Sequence, residues 1–433
     1  MQATGEGVAR PFGIWTAASL VVGLMVGVGI YSLPAQLADF GWTGVLAWGI
    51  AGLGTLACAI PLVRLVAARP ADPSLMVSCG EILGRPVGLM TCWSYWVSLW
   101  CANALVATVT VQYAASLVPG FRPQTLTVGL IGAVAIAAST LVNLAGLREA
   151  GRMQVVLTAL KLLPLAAVLA MLAQLAATPQ LRPGGLPLAP LRAGQVTPAV
   201  TMAFFALVGF ECAALVAERV RDPARNIARA TLLGMAGTTL VYLVISTGIA
   251  MALPRAQLAA STVPIEDFAR VMWGPAAAAA VALFAAISGL GVINAQTLLL
   301  GELPLALARA RQIPAWLAPA NRRDVAAWPL LLGSLLSIAL LLGSATTLGA
   351  NLLAFLLKLT TAVTIFLYFA VCVAAFRLRL ARGWAGLGAL FCIGVLYGAG
   401  LDAGGLAIGL MLAGAPLYAL ALLLGPKVQP SLP

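Results

Sequence analysis

The sequence contains no histidine. That absence removes the side chain that most often ligates metals and the one that ordinarily titrates near neutral pH. Charge is scarce too: Asp, Glu, Lys and Arg together make up 9% of 433 residues, against about 25% in an ordinary soluble domain. The 13 acids lie mostly in connecting segments, so no carboxylate cluster offers a metal site and no nucleophile–base pair offers hydrolytic chemistry. No metal or other cofactor is expected, an integral membrane enzyme is the weaker reading, and no filter-like motif points to a channel. The seven cysteines fall in apolar runs or near their cytoplasmic ends, which gives no disulfide framework.

What fills the chain instead is apolar sequence, 62% of all residues. Runs long enough to cross a bilayer recur near 13–37, 43–66, 87–117, 126–146, 154–177, 197–218, 230–253, 275–303, 327–345, 350–376, 384–401 and 405–425. They predict an all-α integral membrane protein of twelve transmembrane helices, a single domain over 1–433 with no soluble module. No short apolar core precedes a small-residue cleavage site, so no removable signal peptide is expected. The net charge of +12 is explained by its placement. With both termini cytoplasmic, eighteen of the 25 Lys and Arg lie inside. Five (Arg122, Arg182, Arg192, Arg255 and Arg270) lie outside, and Lys161 and Lys358 fall within spans. This bias predicts a multi-pass protein of the inner (cytoplasmic) membrane. The basicity is topological and calls for no nucleic acid.

The first apolar run, Ala18–Pro34, is interrupted by Gly23, Gly27 and Gly29. Broken backbone at membrane depth leaves polar groups that must be satisfied, so it is tolerated where it lines a cavity holding something polar. The sixth run carries a comparable weak point at Phe204-Phe-Ala-Leu-Val-Gly-Phe-Glu211. Discontinuous helices in corresponding positions of two halves point to a transporter's binding site.

Three ionisable residues stand within these runs. Glu211 follows the Gly209 break and is either a proton-exchanging group or close enough to the cytoplasmic end to reach water. Lys161 is a proton carrier, a fixed ammonium on the carbonyls of the broken first span, or a side chain that snorkels to the interface. Lys358 shares a helical face with Thr361 and Tyr368, where it either meets the solute or pairs with Glu211. In the third run Trp96, Asn103 and Val106 share a face, with Ser98 and Leu99 beside it. Trp96 is the one tryptophan assigned to a site rather than to the interface. Asn103, and Asn294 and Gln296 in the eighth run, are either interhelical glue or solute contacts.

Three segments resemble the amino acid–polyamine–organocation superfamily: Gly27-Val-Gly-Ile-Tyr-Ser-Leu-Pro34, Gly209-Phe-Glu211 and Glu218-Arg-Val-Arg-Asp-Pro-Ala-Arg-Asn-Ile-Ala-Arg-Ala230. Within it the chain is most similar in look to the arginine/agmatine and related basic amino acid/polyamine antiporters. The resemblance implies a LeuT-type five-plus-five inverted repeat with helices 1 and 6 discontinuous: 13–177 the first repeat, 197–376 the second, and 384–425 two additional helices. It also implies that a substrate carboxylate meets the amides of Gly27, Val28 and Gly29, and that its ammonium meets carbonyls near Phe205, Ala206 and Val208. Asn103 matches a substrate-contacting asparagine and Glu211 a gating, proton-sensing glutamate. Lys161 matches a lysine that stands in for a sodium ion, with Ser288 as its eighth-span neighbour. Phe205 keeps an aromatic that faces a guanidinium in those relatives. Gln296 replaces a tryptophan, however, and Lys358 a serine, and the Gly-Gly element before the third span reads Pro73-Ser-Leu-Met-Val-Ser-Cys79. A second ammonium beside the substrate would repel a cationic side chain by about 4 kcal/mol at roughly 4 Å and an effective dielectric of about 20. These departures favour a neutral or acidic amino acid unless Lys358 pairs with Glu211. The expected function is secondary active transport of amino acids or related amines by alternating access, as a proton-coupled carrier or an exchanger. Partners are the small-molecule substrate, protons and the lipid bilayer, with room left for a homodimer.

Overall fold

The computed structural model describes residues 14–69, 75–145, 151–178, 188–211, 222–309, 313–321, 325–348, 351–416 and 419. They form helices and connecting turns, with no β-strand among the described residues. In chain order the α-helices are α1 Ile14–Met25, α2 Gly29–Gln36, α3 Trp42–Ala68, α4 Leu75–Leu83, α5 Arg85–Ser116, α6 Thr125–Leu144, α7 Gly151–Ala177 and α8 Val196–Leu207. They continue with α9 Pro223–Ala252, α10 Arg255–Ala260, α11 Pro264–Trp273, α12 Pro275–Arg309, α13 Ala327–Thr347, α14 Leu352–Arg377, α15 Arg382–Gly398 and α16 Gly400–Ala413. Proline marks several starts, at Pro86, Pro223, Pro264 and Pro275, where its fixed φ suits the first turn and its missing N–H loses no bond.

Among the described residues eight helices (α3, α5, α6, α7, α9, α12, α13 and α14) are long and apolar enough to cross a membrane. α15 and α16 meet that test only as a pair, bent by 116° at Ala399–Gly400. α1 and α2 are short because the first apolar run is interrupted at residues 26–28, and α8 ends at Leu207 before a turn at 208–211, while residues 212–218 of the sixth run lie outside the described residues. Three helices were not expected from the sequence: α4 between the second and third runs, and α10 and α11 after the seventh. The part of the twelfth run beyond 419, Pro73 and Ser74, and Glu218–Arg221 of the signature segment lie outside the described residues. So do Arg10, Arg148, Arg182, Arg311, Arg322, Arg323 and Lys427 from the charge count.

α5 is the central post. It is apolar on every face, as a helix surrounded by others must be, and its most apolar stretch is wholly buried. It packs against α12, α14, α13 and α6. α3 packs against α8, α9 and α15, while α1 rests on α9 and α7. Apolar burial gives little preference between helices when lipid is the alternative, so polar ties matter more here. Asn143 Nδ2 donates to Asn294 Oδ1 at 2.9 Å, joining α6 to α12, and Thr140 Oγ1 lies 2.8 Å from Ser334 Oγ, joining α6 to α13. Asn294 is thus a helix tie. The outer helices are held by polar contacts of their own, including the Arg255–Asp39 ion pair at 2.8 Å.

Candidate functional site

At the first break the chain leaves the helix at Val26, and the Gly27 amide donates to the Met25 carbonyl at 2.8 Å. An unbroken helix would have sent that amide to the Gly23 carbonyl. The freed Gly23 carbonyl instead accepts from Lys161 Nζ at 3.1 Å, and the Met25 carbonyl accepts from the Tyr242 hydroxyl at 2.9 Å. Both partners come from neighbouring helices, α7 and α9. The amides of Val28 and Gly29, at the N-terminal end of α2, donate to no group among the described residues.

At the second break the Val208 amide turns back to the Phe205 carbonyl at 3.2 Å, and Gly209 takes φ +111°, a conformation side chains with a Cβ rarely adopt. The Gly209 amide donates to Glu211 Oε2 at 3.0 Å, and the Tyr368 hydroxyl of α14 donates to the same oxygen at 2.6 Å. Tyr95 of α5 is a further hydrogen-bonding neighbour of this carboxyl. The Tyr368 ring stacks on Phe210 with centroids 4.8 Å apart, which fixes the hydroxyl's aim. The carbonyls of Ala206 and Leu207 accept no bond among the described residues.

The two breaks abut. A Cβ added at Gly29 would lie 3.2 Å from Ala206 Cα and from the Phe205 ring. A cavity of about 80 Å³ opens between them. Gly27, Val28 and Gly29 form one wall, and Phe205, Ala206, Val208 and Glu211 another. Tyr95 and Ser98 of α5, Gln296 of α12, and Thr360 and Thr364 of α14 complete it. Unpaired amides at the start of α2 carry partial positive charge, and unpaired carbonyls at the end of α8 carry partial negative charge. The pair suits a small zwitterion with its carboxylate on the first break and its ammonium on the second.

Nine of the fourteen residues expected at the site therefore come together: Gly27, Val28, Gly29, Ser98, Phe205, Ala206, Val208, Glu211 and Gln296. Five do not line the cavity. Trp96 turns to α12, where its indole N–H donates to the Leu300 carbonyl at 3.0 Å and its ring stacks on Trp93. Asn103, on the same flank of α5, donates to Thr297 Oγ1 at 3.1 Å and leaves its own Oδ1 unpaired. Lys161 stands behind the first break. Ser288 is buried with a hydroxyl that pairs with no group among the described residues, Lys161 included. Lys358 is partly buried and forms no ion pair with Glu211, whose Oε2 is occupied by Tyr368. Helical phase separates the groups. On α5 the cavity face runs through Tyr95, Ser98, Leu99, Ala102 and Val106, and Trp96 sits about 100° away. On α14 the lining pair is Thr360 and Thr364, one turn apart, and Lys358 faces elsewhere. Tyr95, Thr360, Thr364 and Tyr242 were missed, and Tyr368 was placed on the face of Lys358 but not as the partner of Glu211. The Thr360/Thr364 spacing was a visible signal, whereas the tyrosines' partners are distant in sequence.

A family model described as "Amino acid permease" matches residues 12–432. The chain is 28% identical over 347 residues to a Bacillus subtilis protein provisionally named an arginine/ornithine antiporter, covering 72% of this chain and 73% of that one. It is 28% identical over 316 residues to an uncharacterized transporter of Mycobacterium tuberculosis, covering 72% and 69%. It is 25% identical over 406 residues to a cadaverine/lysine antiporter of Escherichia coli, covering 90% of each chain.

Proposed function

Because this chain belongs to the amino acid permease family of the amino acid–polyamine–organocation superfamily, we propose that it is a secondary active carrier of amino acids or related amines working by alternating access. Its membership already makes it a transporter rather than an enzyme. The observation that supports the finer reading is the meeting of two interrupted helices around one cavity, with unpaired amides on one side and unpaired carbonyls on the other. In this reading α1 with α2 and α8 are the discontinuous helices 1 and 6 of a twelve-span, five-plus-five inverted repeat. Val28 and Gly29 take the substrate carboxylate, Ala206 and Val208 face its ammonium, and Ser98, Phe205 and Gln296 meet its side chain. Trp96, Asn103 and Lys358 act from behind the lining. Lys161 and Glu211 are the coupling groups, with Ser288 as an accessory to Lys161. The protein sits in the cytoplasmic membrane with both termini inside.

Counterflow in sealed proteoliposomes tests the carrier. External unlabelled amino acid should drive exchange of internal label, chemically unchanged. Collapse of the label gradient without stimulation by external solute would indicate a pore and sink the proposal. The names of two relatives favour a second reading, exchange of a cationic amino acid for its amine counterpart. The same assay with lysine, ornithine and cadaverine addresses it.

A further inference from the structure

From the unpaired polar side chains among the residues that line the cavity, we infer that its side-chain subsite takes a small neutral amino acid whose side chain donates hydrogen bonds, a hydroxyl or carboxamide, and that Gln296 and Thr360 select it. This rests on the carrier reading and narrows it to a substrate class.

The inventory of charge comes first. Among the described residues Glu211 is the only acid on the cavity wall, and its Oε2 already accepts from Tyr368 and from the Gly209 amide. A cationic side chain entering here would have to share this one carboxyl with donors already in place on its Oε2. Among the described residues the wall carries no Lys or Arg either, so an acidic side chain is equally unsupported.

Hydrogen bonding comes next. Thr360 Oγ1 and Gln296 Oε1 are buried with no partner, and both residues line the cavity. Native interiors seldom leave such atoms unpaired. Both can accept, and the same two groups can donate in return, which matches a hydroxyl or carboxamide better than a methyl or an ammonium. Size agrees. A cavity of about 80 Å³ falls well below the roughly 300–1,000 Å³ of ordinary ligand pockets.

Isothermal titration of the purified full chain in detergent, with serine, threonine, asparagine and alanine against lysine, ornithine and cadaverine, tests this directly. Serine, threonine or asparagine should bind at least about tenfold more tightly than any of the cations. Gln296→Leu or Thr360→Val should lower affinity for the preferred solute about tenfold and shrink its advantage over alanine, which brings no side-chain donor. Tighter binding of lysine, ornithine or cadaverine overturns the inference and leaves the carrier standing. Binding and counterflow of no amino acid or amine of either class removes the carrier reading as well. The wild-type ranking decides even where a variant does not fold.

Discussion

Gly29 is the residue on which the site's closeness turns. Its missing Cβ lets the first break approach Ala206 and Phe205, and a methyl there would meet both at 3.2 Å. Such a contact is tight enough that the two walls must part by a few tenths of an ångström. Gly29→Ala is expected to destabilise the protein by about 1–3 kcal/mol and to weaken amino acid binding about tenfold or more, because the amides and carbonyls would no longer span one zwitterion. Thermal unfolding together with ligand titration checks it. Unchanged binding at lowered stability would mean that the contact is packing only. Glycine at this point was legible in the sequence, because a triple interruption of an apolar run has few other uses at membrane depth. The tyrosines' partners were not. Tyr242 and Tyr368 hold the two breaks through bonds to Met25 and Glu211, residues 217 and 157 positions away, and no local pattern announces such a pairing.

At the scale of elements, helix length and helix contact obey different rules. The long apolar helices were legible because hydrocarbon thickness fixes their length. α4, α10 and α11 are too short to register by that criterion. α11 nevertheless carried its own signs: Pro264 at its start, Glu266 and Asp267 in its first turn, Arg270 in its last, and Gly274 beyond at φ +84°. The phase of α5 was missed by one residue, enough to exchange Tyr95 for Trp96 at the wall. Contact between elements rests on small residues. A Cβ at Gly388 of α15 would lie 2.6 Å from the Ala57 carbonyl oxygen of α3 and 2.7 Å from Cys372 Sγ of α14. Backbone oxygen cannot swing aside, so Gly388→Ala should destabilise by about 1–3 kcal/mol. Gly394, two turns along the same helix, faces open space. Gly394→Ala should be neutral or stabilise by up to about 1 kcal/mol, the helix-propensity difference. Melting temperatures of the two variants in the same detergent provide the measurement. A fall of equal size in both would contradict the close approach of α15 to α3.

Across the whole molecule, each interrupted helix is tied to one neighbour through an ionisable side chain. Lys161 on α7 grips the Gly23 carbonyl before the first break, and Glu211 just after the second is gripped by Tyr368 on α14. α7 and α14 hold the fifth and tenth of the apolar runs. Loss or gain of a proton at either would loosen one tie and leave the other intact, which is what a carrier needs if its two openings are to alternate rather than coincide. Removing one partner of such a buried polar contact also leaves a group unsatisfied, so each substitution carries a stability cost of about 1–3 kcal/mol. That cost must be measured apart from any coupling effect. Uptake into proteoliposomes across a range of pH, with and without an imposed gradient, separates the two. If Lys161 couples, Lys161→Met should transport with a flattened pH profile while Glu211→Gln keeps the wild-type one, and the reverse holds if Glu211 couples. A stability loss alone would lower the rate at every pH by the same factor. Wild-type pH dependence surviving in both variants would leave neither residue as the proton's carrier and would make the protein an exchanger driven by solute gradients alone.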